Sequence, residues 1–376
     1  MTAENIFFNI LKASLWGTSI EVPADFNDWK GVLRLAKEQT VLALVANTIL
    51  SDMELAARIP VELKNKLKSF VLDNVRIHAE LNNTIALIVT HLKTYEITPV
   101  LLKGQGVARN YPIPELRQCG DIDLYVGTQN YLKTCEILSE ISSWTSDRNP
   151  ENTTKHYDVK IGNVLIEIHK YSDVHVSKHY DLIYQRYSDE GLTSGLRPMD
   201  FTGITVYLPD DTFNAFFIFN HLWSHYIDCG VGLRHFCDWM MFLHNHKNTI
   251  DFYKLRKIID EMDLIAPWQT MGVILVDYLG LSENEFPFYD KVFAAKASRV
   301  IKHVLKEGNF GHNRALLKAR SGKTYMALKF QSLFAHIQHS AQLFFLFPSH
   351  IASHFLNTLC RGIVETCKYI LKPFIK

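Results

Sequence analysis

Apolar residues recur at helical spacing through the first third of the chain. Phe7, Phe8, Ile10, Leu11 and Leu15 fall on one helical face. Residues 27–50 repeat apolar positions at intervals of three and four, with Asn27 or Asp28 placed to cap the helix. Pro60 suits a first helical turn and opens a run that keeps the spacing to Tyr95. The pattern then changes. Val100-Leu101-Leu102 predicts a buried strand, Lys103-Gly104 ends it, and Gly104 and Gly106 permit a tight turn into a short helix over about 105–110. Pro112 and Pro114 stop that helix, and in residues 121–126 acids alternate with apolar residues, the period of a strand. A helix over 130–142 follows, then two strands within 155–169 joined by Gly162-Asn163, a hairpin signal. Segment 171–198 is polar and aromatic, with His175 and His179 read as surface residues, and 205–208 is a last strand ending at Pro209.

From Asp210 the helical spacing returns. Residues 212–228 form one apolar helix capped by Asp210 or Asp211. Gly230-Val231-Gly232 leads into a second over 233–246, and 251–307 continues in the same manner. These periods predict an α+β fold, a small mixed β-sheet flanked by helical regions. The segments are an N-terminal helical region (1–96), a mixed core (97–209) and a C-terminal helical region (210–376). There is no internal repeat.

Composition narrows the class. A net charge of +1 and 47% hydrophobic residues are those of an ordinary globular protein, and 376 residues suffice for two or three cores. The N-terminus carries Glu4 and no basic stretch, which argues against a secretory signal, and no apolar run approaches the roughly 18–20 residues that span a bilayer. Six cysteines make no C-x-x-C pair, so a reduced, cytoplasmic chain is expected, without structural zinc or a disulfide framework. The charge is uneven: residues 308–376 hold nine Lys and Arg against one acid, Glu365. That imbalance points to a polyanionic partner, to an anionic membrane surface, or to packing against the acidic remainder. In the tail, Ile351, Phe355, Leu359, Ile363 and Ile370 fall roughly on one helical stripe, while Arg361, Lys368 and Lys372 lie elsewhere.

The chemistry concentrates in the mixed core. Period-two alternation puts Asp121 and Asp123 on one strand face. Adjacent carboxylates repel, and a divalent ion between them removes the penalty, oxygen ligands suiting Mg²⁺ or Mn²⁺. Glu167 is the lone acid in the apolar strand 164–169, costly there unless paired or metal-bound. Lys103 and Arg117 stand beside turns near the acids, where phosphoryl transfer needs cations. Crowded acids also imply that neutralising Asp121 or Asp123 leaves folding intact or improves it. Two phosphate-loop imitations fail: Ser321-Gly322-Lys323-Thr324 has Leu317 where Gly is required, and Gly104-x-Gly106 is followed by Arg109 where a dinucleotide loop needs its third Gly. His221 and His225 lie four apart, a spacing that can bind zinc. The metalloprotease glutamate is absent, and buried hydrogen-bonded histidines are the plainer reading. Arg234 and Asp238, also four apart, can pair on a helix.

This arrangement resembles the DNA polymerase beta-like nucleotidyltransferase superfamily: a strand, a glycine-containing turn, a helix, a strand of two acids around one apolar residue, and a third carboxylate on a later strand. It is more closely similar to the uncharacterised bacterial nucleotidyltransferase family with an LKG…YP.P..R…DIDL signature. Lys103-Gly104, Tyr111-Pro112, Pro114, Arg117, Asp121, Asp123, Glu167 and His169 stand at the signature positions. The likeness covers residues 97–170 well and 213–243 more loosely, where the family's H…LR…D pattern would bring His221, Arg234 and Asp238 to the cleft. The wider superfamily has Gly-Ser or Gly-Gly at the turn where this chain has Lys-Gly-Gln-Gly.

The resemblance implies a two-metal transfer of a nucleoside monophosphate from a nucleoside triphosphate. Asp121 and Asp123 would bridge both ions, and Glu167 would serve the ion on the acceptor. Lys103, Gly104 and Arg117 would handle phosphate. His169 would orient Glu167, touch the acceptor, or act as a base. The acceptor is open: a small molecule, sugar phosphate, protein or RNA end. Two other classes fit the sequence, a binding module that keeps the fold without the chemistry, and a surface-associated protein whose basic tail is the working part.

Overall fold

The computed structural model describes residues 1–311 and 325–371; the loop imitation at 321–324, Lys372 and Lys376 lie outside them. Its frame is a seven-stranded mixed sheet in the order β3-β4-β5-β2-β1-β7-β6. The strands are β1 (Val100–Leu102), β2 (Asp121–Tyr125), β3 (Trp144–Thr145), β4 (His156–Ile161), β5 (Val164–His169), β6 (Arg197–Phe201) and β7 (Ile204–Leu208). β1 is antiparallel to β2 and parallel to β7; β2 is parallel to β5; β4 and β5, and β6 and β7, are antiparallel pairs. β6 is absent from the sequence reading because Pro198 and two charged residues hide it. It is an edge strand, where proline removes no ladder bond.

Five helices precede the sheet: α1 (Ala3–Trp16), α2 (Trp29–Glu38), α3 (Leu42–Ser51), α4 (Met53–Arg58) and the 33-residue α5 (Val61–Lys93). The helical run expected over 27–50 forms two helices. Thr40 adopts φ 58°, which breaks the run, while Asp28 caps α2 by accepting from the Gly31 amide at 2.9 Å. Within the sheet region lie α6 (Gly104–Ala108), α7 (Gly127–Glu140) and α8 (Lys178–Thr193). Then come α9 (Asp211–Asp228), α10 (Leu233–His246), α11 (Phe252–Glu261), α12 (Ile265–Asp277), α13 (Ala294–Glu307), α14 (Tyr325–Phe344) and α15 (Pro348–Leu371). None of the described helices is long and apolar enough to cross a membrane.

Two cores form. One lies on a single face of the sheet, where Ile122, Leu124, Ile166, Ile168 and Val206 meet α5 and α7. The other joins α1–α3 to α9–α13, so the two ends of the chain share one helical body. Polar ties cross this body: the Trp16 indole donates to the Leu279 carbonyl at 2.7 Å, and Gln39 donates to Val304 O and accepts from the Leu233 amide at 3.1 Å. The tail packs on it as well. Leu343, Leu346, Phe347 and Ile351 are buried, with Phe347 edge-on to Trp223 at 4.9 Å. His179 is exposed as expected. His175 is not a surface residue: it is half-buried against Tyr184, ring centroids 4.8 Å apart.

Gln39 is fully buried, and its side chain holds the first amide of α10. Each buried polar group left unpaired costs roughly 1–3 kcal/mol. Gln39→Leu should therefore lower the unfolding free energy by about 2 kcal/mol. Urea denaturation checks this, and an unchanged midpoint would show that α10 is held by packing alone.

Candidate active site

The β1–α6 turn carries the first candidate side chain. Lys103 sits at φ 44° and Gly104 at φ 41°, two consecutive residues on the left-handed side of the map. For lysine that conformation costs of order 1–3 kcal/mol and persists where the surroundings enforce it. The turn delivers the Lys103 ammonium to 3.1 Å from Asp123 Oδ1. Gly106 lies inside α6, where a Cβ would stand 2.7 Å from Leu208 Cδ2, so a larger residue there would require the Leu208 side chain to shift.

β2 and β5 supply the acids. Their parallel register sets Asp123 beside Glu167 and Tyr125 beside His169. Alternation places Asp121 on the same face, and Ile122 and Leu124 on the opposite face in the sheet core. The three carboxylates therefore line one cavity of about 280 Å³. Burial alone would push the Asp123 carboxyl up, but the Lys103 ammonium and a hydrogen bond from His169 hold it well below the usual range. Asp121 forms no ion pair among the described residues, and burial and the Asp123 charge push it up against the weaker pull of Lys103. Glu167, raised by burial and pulled down by His169, lies below its ordinary value.

His169 is fully buried. Its Nδ1 faces the Tyr171 carbonyl at 3.2 Å, and its Nε2 lies 3.0 Å from Asp123 Oδ1 and 3.2 Å from Glu167 Oε2. All three neighbours accept, so both nitrogens carry protons. Burial opposes this, and the two carboxylates overcome it, raising the imidazole pKa. Of the three roles open to His169, this geometry supplies orientation of Glu167 and Asp123.

Arg117 and Asp238 form a buried clamp between the turn before β2 and α10. Arg117 Nε donates to Oδ1 at 3.0 Å and Nη2 to Oδ2 at 2.7 Å, and the Tyr111 hydroxyl donates to Oδ1 at 2.7 Å. Burial disfavours both charges, yet the pairing raises the Arg117 pKa and lowers that of Asp238. The sequence pairing of Arg234 with Asp238 is thus corrected: Asp238 takes Arg117, a bidentate partner across the fold, in preference to its helical neighbour. Arg234 reaches the Gln118 carbonyl at 3.4 Å, and its buried Nε, like Arg117 Nη1, has no hydrogen-bond partner among the described residues.

The cavity brings together Lys103, Gly104, Arg117, Asp121, Asp123, Glu167, His221, Arg234 and Asp238; His169 holds its acids from behind. The cavity also contains four residues that the sequence reading did not bring to the acids, although it had singled out His225 beside His221. Lys155 precedes β4 and His156 opens it, and His156 stands 3.6 Å from Glu167. The signal was there, since His156 and Asp158 alternate on the strand that pairs with β5, opposite His169 and Glu167. Lys155 is bound at 2.9 Å by Asp173, whose carboxyl burial would raise but Lys155 pulls down to about 2. The third and fourth are His225 and His235, which join His221 on the helical wall with ring centroids 4.3–5.5 Å apart. Burial and the nearby Lys103 hold His221 well below its ordinary pKa and His225 at about 4.

The family described as uncharacterised nucleotidyltransferase matches residues 25–280, and the chain belongs to it. No curated protein matches the chain. Among solved structures it is similar to an antigenic nucleotidyltransferase-like protein from Paracoccidioides brasiliensis. The identity is 13% and the TM-score 0.37, covering 57% of this chain and 96% of that one.

Breaking a buried ion pair by removing one partner costs roughly 3–5 kcal/mol. Asp238→Asn should destabilise the protein by about that amount. Because the folded pKa of Asp238 is lowered, its contribution is complete above the unfolded value of about 3.9 and disappears as pH falls through the lower folded value. The gap between wild type and variant in denaturant titrations should stay constant from neutral pH down to about 4 and close below it.

Proposed function

We propose that the chain is a nucleotidyltransferase that moves a nucleoside monophosphate from a nucleoside triphosphate to an acceptor hydroxyl or phosphate. The observation that carries this is the convergence of Asp121, Asp123 and Glu167 on one face of two adjacent strands, in a cavity shared with Lys103 and Arg234. The residues fit a pair of hard divalent ions: three carboxylates offer oxygen donors, and Asp121, whose carboxyl burial and then the Asp123 charge push up, would gain from a dication beside it. Mg²⁺ or Mn²⁺ held by these acids would neutralise phosphate charge and acidify the acceptor hydroxyl.

The chain's own groups divide the remaining work. Lys103 is the cation nearest the acids and binds phosphate oxygen. Arg234 and Arg117 line the same cavity, and their buried Nε and Nη1, which meet no acceptor among the described residues, would be available to a phosphate oxygen. The other two donors of Arg117 hold Asp238, so it positions the β2 entrance as well. His169 fixes the direction of the Asp123 and Glu167 oxygens. The acceptor is of one of the kinds named above, with the basic tail as its contact if it is polyanionic or membrane-linked.

One observation favours the second reading, a nucleotide-binding module without chemistry. Asp123 Oδ1 already meets both Lys103 and His169, so a ligating ion must compete with them. Turnover separates the two. The four nucleoside triphosphates, offered with Mn²⁺ and cell extract as acceptor source, should release pyrophosphate with at least one base. Binding without release would leave the module reading.

The carboxylates also differ in a measurable way. Asp121→Asn and Asp123→Asn should each lower turnover by about 10²–10³-fold, the usual effect of losing a major electrostatic stabiliser. Their stabilities in metal-free buffer should move in opposite directions, unlike the common effect expected from acid crowding alone. Asp121→Asn removes a repelled charge and should raise the melting temperature. Asp123→Asn strands Lys103 and His169 and should lower it. A shared direction would show that the acids are not partitioned in this way.

A further inference from the structure

We propose that His221, His225 and His235 form a second metal site, for zinc or a similar borderline dication, on the helical wall of the cavity. His221 and His225 are one turn apart on α9, and His235 is the third residue of α10. One ring nitrogen from each lies within 4.8 Å of the others. Tetrahedral zinc with Zn–N of about 2.0–2.1 Å sets its nitrogens about 3.4 Å apart, so small side-chain rotations close the site. Imidazole donors favour zinc and its neighbours over Mg²⁺, which separates this site chemically from the carboxylates opposite.

The supporting backbone is already fixed. Gly230 and Gly232 carry the chain from α9 to α10, and a Cβ on Gly232 would stand 3.0 Å from both Asn309 Cβ and the Gln39 carbonyl. Gln39 also accepts from the Leu233 amide, two residues before His235. Cys229 Sγ lies 3.3 Å from His225 Nδ1 and orients that ring. Lys103 and Lys155 oppose a cation at this wall, while Asp173 and Asp228 favour one. Burial first, then Lys103 for His221 and His225 and Arg234 for His235, lowers the pKa of all three imidazoles and favours the neutral form that ligates.

A second histidine cluster, His156, Glu167 and His169, is the weaker candidate because His169 already uses both ring nitrogens. Three imidazoles leave a fourth position on the ion open for water or for an acceptor oxygen, nitrogen or sulfur. All three histidines line the cavity that holds the acids, so a ligand on that position would face them.

The test uses the full-length protein, stripped of metal by chelation, without nucleotide, so its outcome is independent of the transfer reaction. Co²⁺ is titrated as a spectroscopic probe in excess Mg²⁺, and Zn²⁺ then competes. The expected result is one equivalent of Co²⁺ with the intense visible absorption of four-coordination, displaced by Zn²⁺ and not by Mg²⁺. His221→Ala and His225→Ala should each weaken it by roughly 10²-fold or more, given that changes outside the ligand set already cost about 10–100-fold. Asp121→Asn should leave it unchanged. X-ray absorption of the zinc-loaded wild type needs no variant to fold and should count three imidazoles. Absence of saturable Co²⁺ binding, histidine variants that bind as wild type, or two or fewer imidazoles at the zinc would each overturn the site.

Discussion

Charge held out of water is the constraint on which this architecture depends. Asp123 is 4% exposed and Asp238 5%, and each needs a partner that reaches it from a different element. Asp123 takes Lys103 from a strained turn and His169 from the neighbouring strand. Asp238, on α10, takes Arg117 and Tyr111 from the segment that leads into β2. These two ion pairs fix where the turn, the acidic strands and the helical wall stand relative to one another. A cavity lined by apolar residues would tolerate slippage, whereas bidentate and charge-assisted bonds have geometry.

The helical body is what holds the second wall in place. α9 and α10 carry His221, His225, Arg234, His235 and Asp238, and their core is completed by α1–α3 from the far end of the sequence. Gln39 shows the coupling at one residue: it leaves α2, turns through Thr40 and holds the start of α10. The N-terminal helices contain no cluster of catalytic type, yet without them the site would have one wall. The family match from residue 25 takes in α2 and α3 as well as the sheet.

Much of this was legible in sequence where period and punctuation act locally. The β1 run, the Lys103-Gly104 turn, the acidic strand and the hairpin at Gly162 read directly, because a strand with one buried face alternates and a turn needs its glycine. The acids could be grouped because Asp121 and Asp123 share a strand face and Glu167 interrupts an apolar run. Partner choice was not legible. Arg234 and Asp238 have ideal helical spacing, but Arg117 offers a bidentate bond in a dry site, which outweighs a helical-neighbour pair. Nor was the break at Thr40, which only the packing of α2 and α3 as separate helices demands. His235 escaped notice because its proximity to His221 and His225 depends on the chain reversal through Gly230 and Gly232, and no spacing encodes a reversal.

The charge balance of the cavity bears on how it would be filled. Four cations line it, Lys103, Arg117, Lys155 and Arg234, against four acids, Asp121, Asp123, Glu167 and Asp238; protonated His169 behind the acids is offset by Asp173 behind Lys155, and burial keeps His221, His225 and His235 neutral. A site so close to neutral gains little from divalent ions alone and little from a triphosphate alone, since either brings an uncompensated charge into a partly dry cleft. Together they nearly cancel. Lys103 can then exchange one anionic partner, Asp123, for another, a phosphate oxygen, without its charge ever being left unpaired. The strained turn would serve that exchange under the proposed function, because it holds the ammonium beside Asp123 in the cavity that a phosphate would enter. Under the proposed function, the Lys-Gly turn that departs from the wider superfamily is the element that keeps the carboxylates folded before substrate and metal arrive and yields them afterwards.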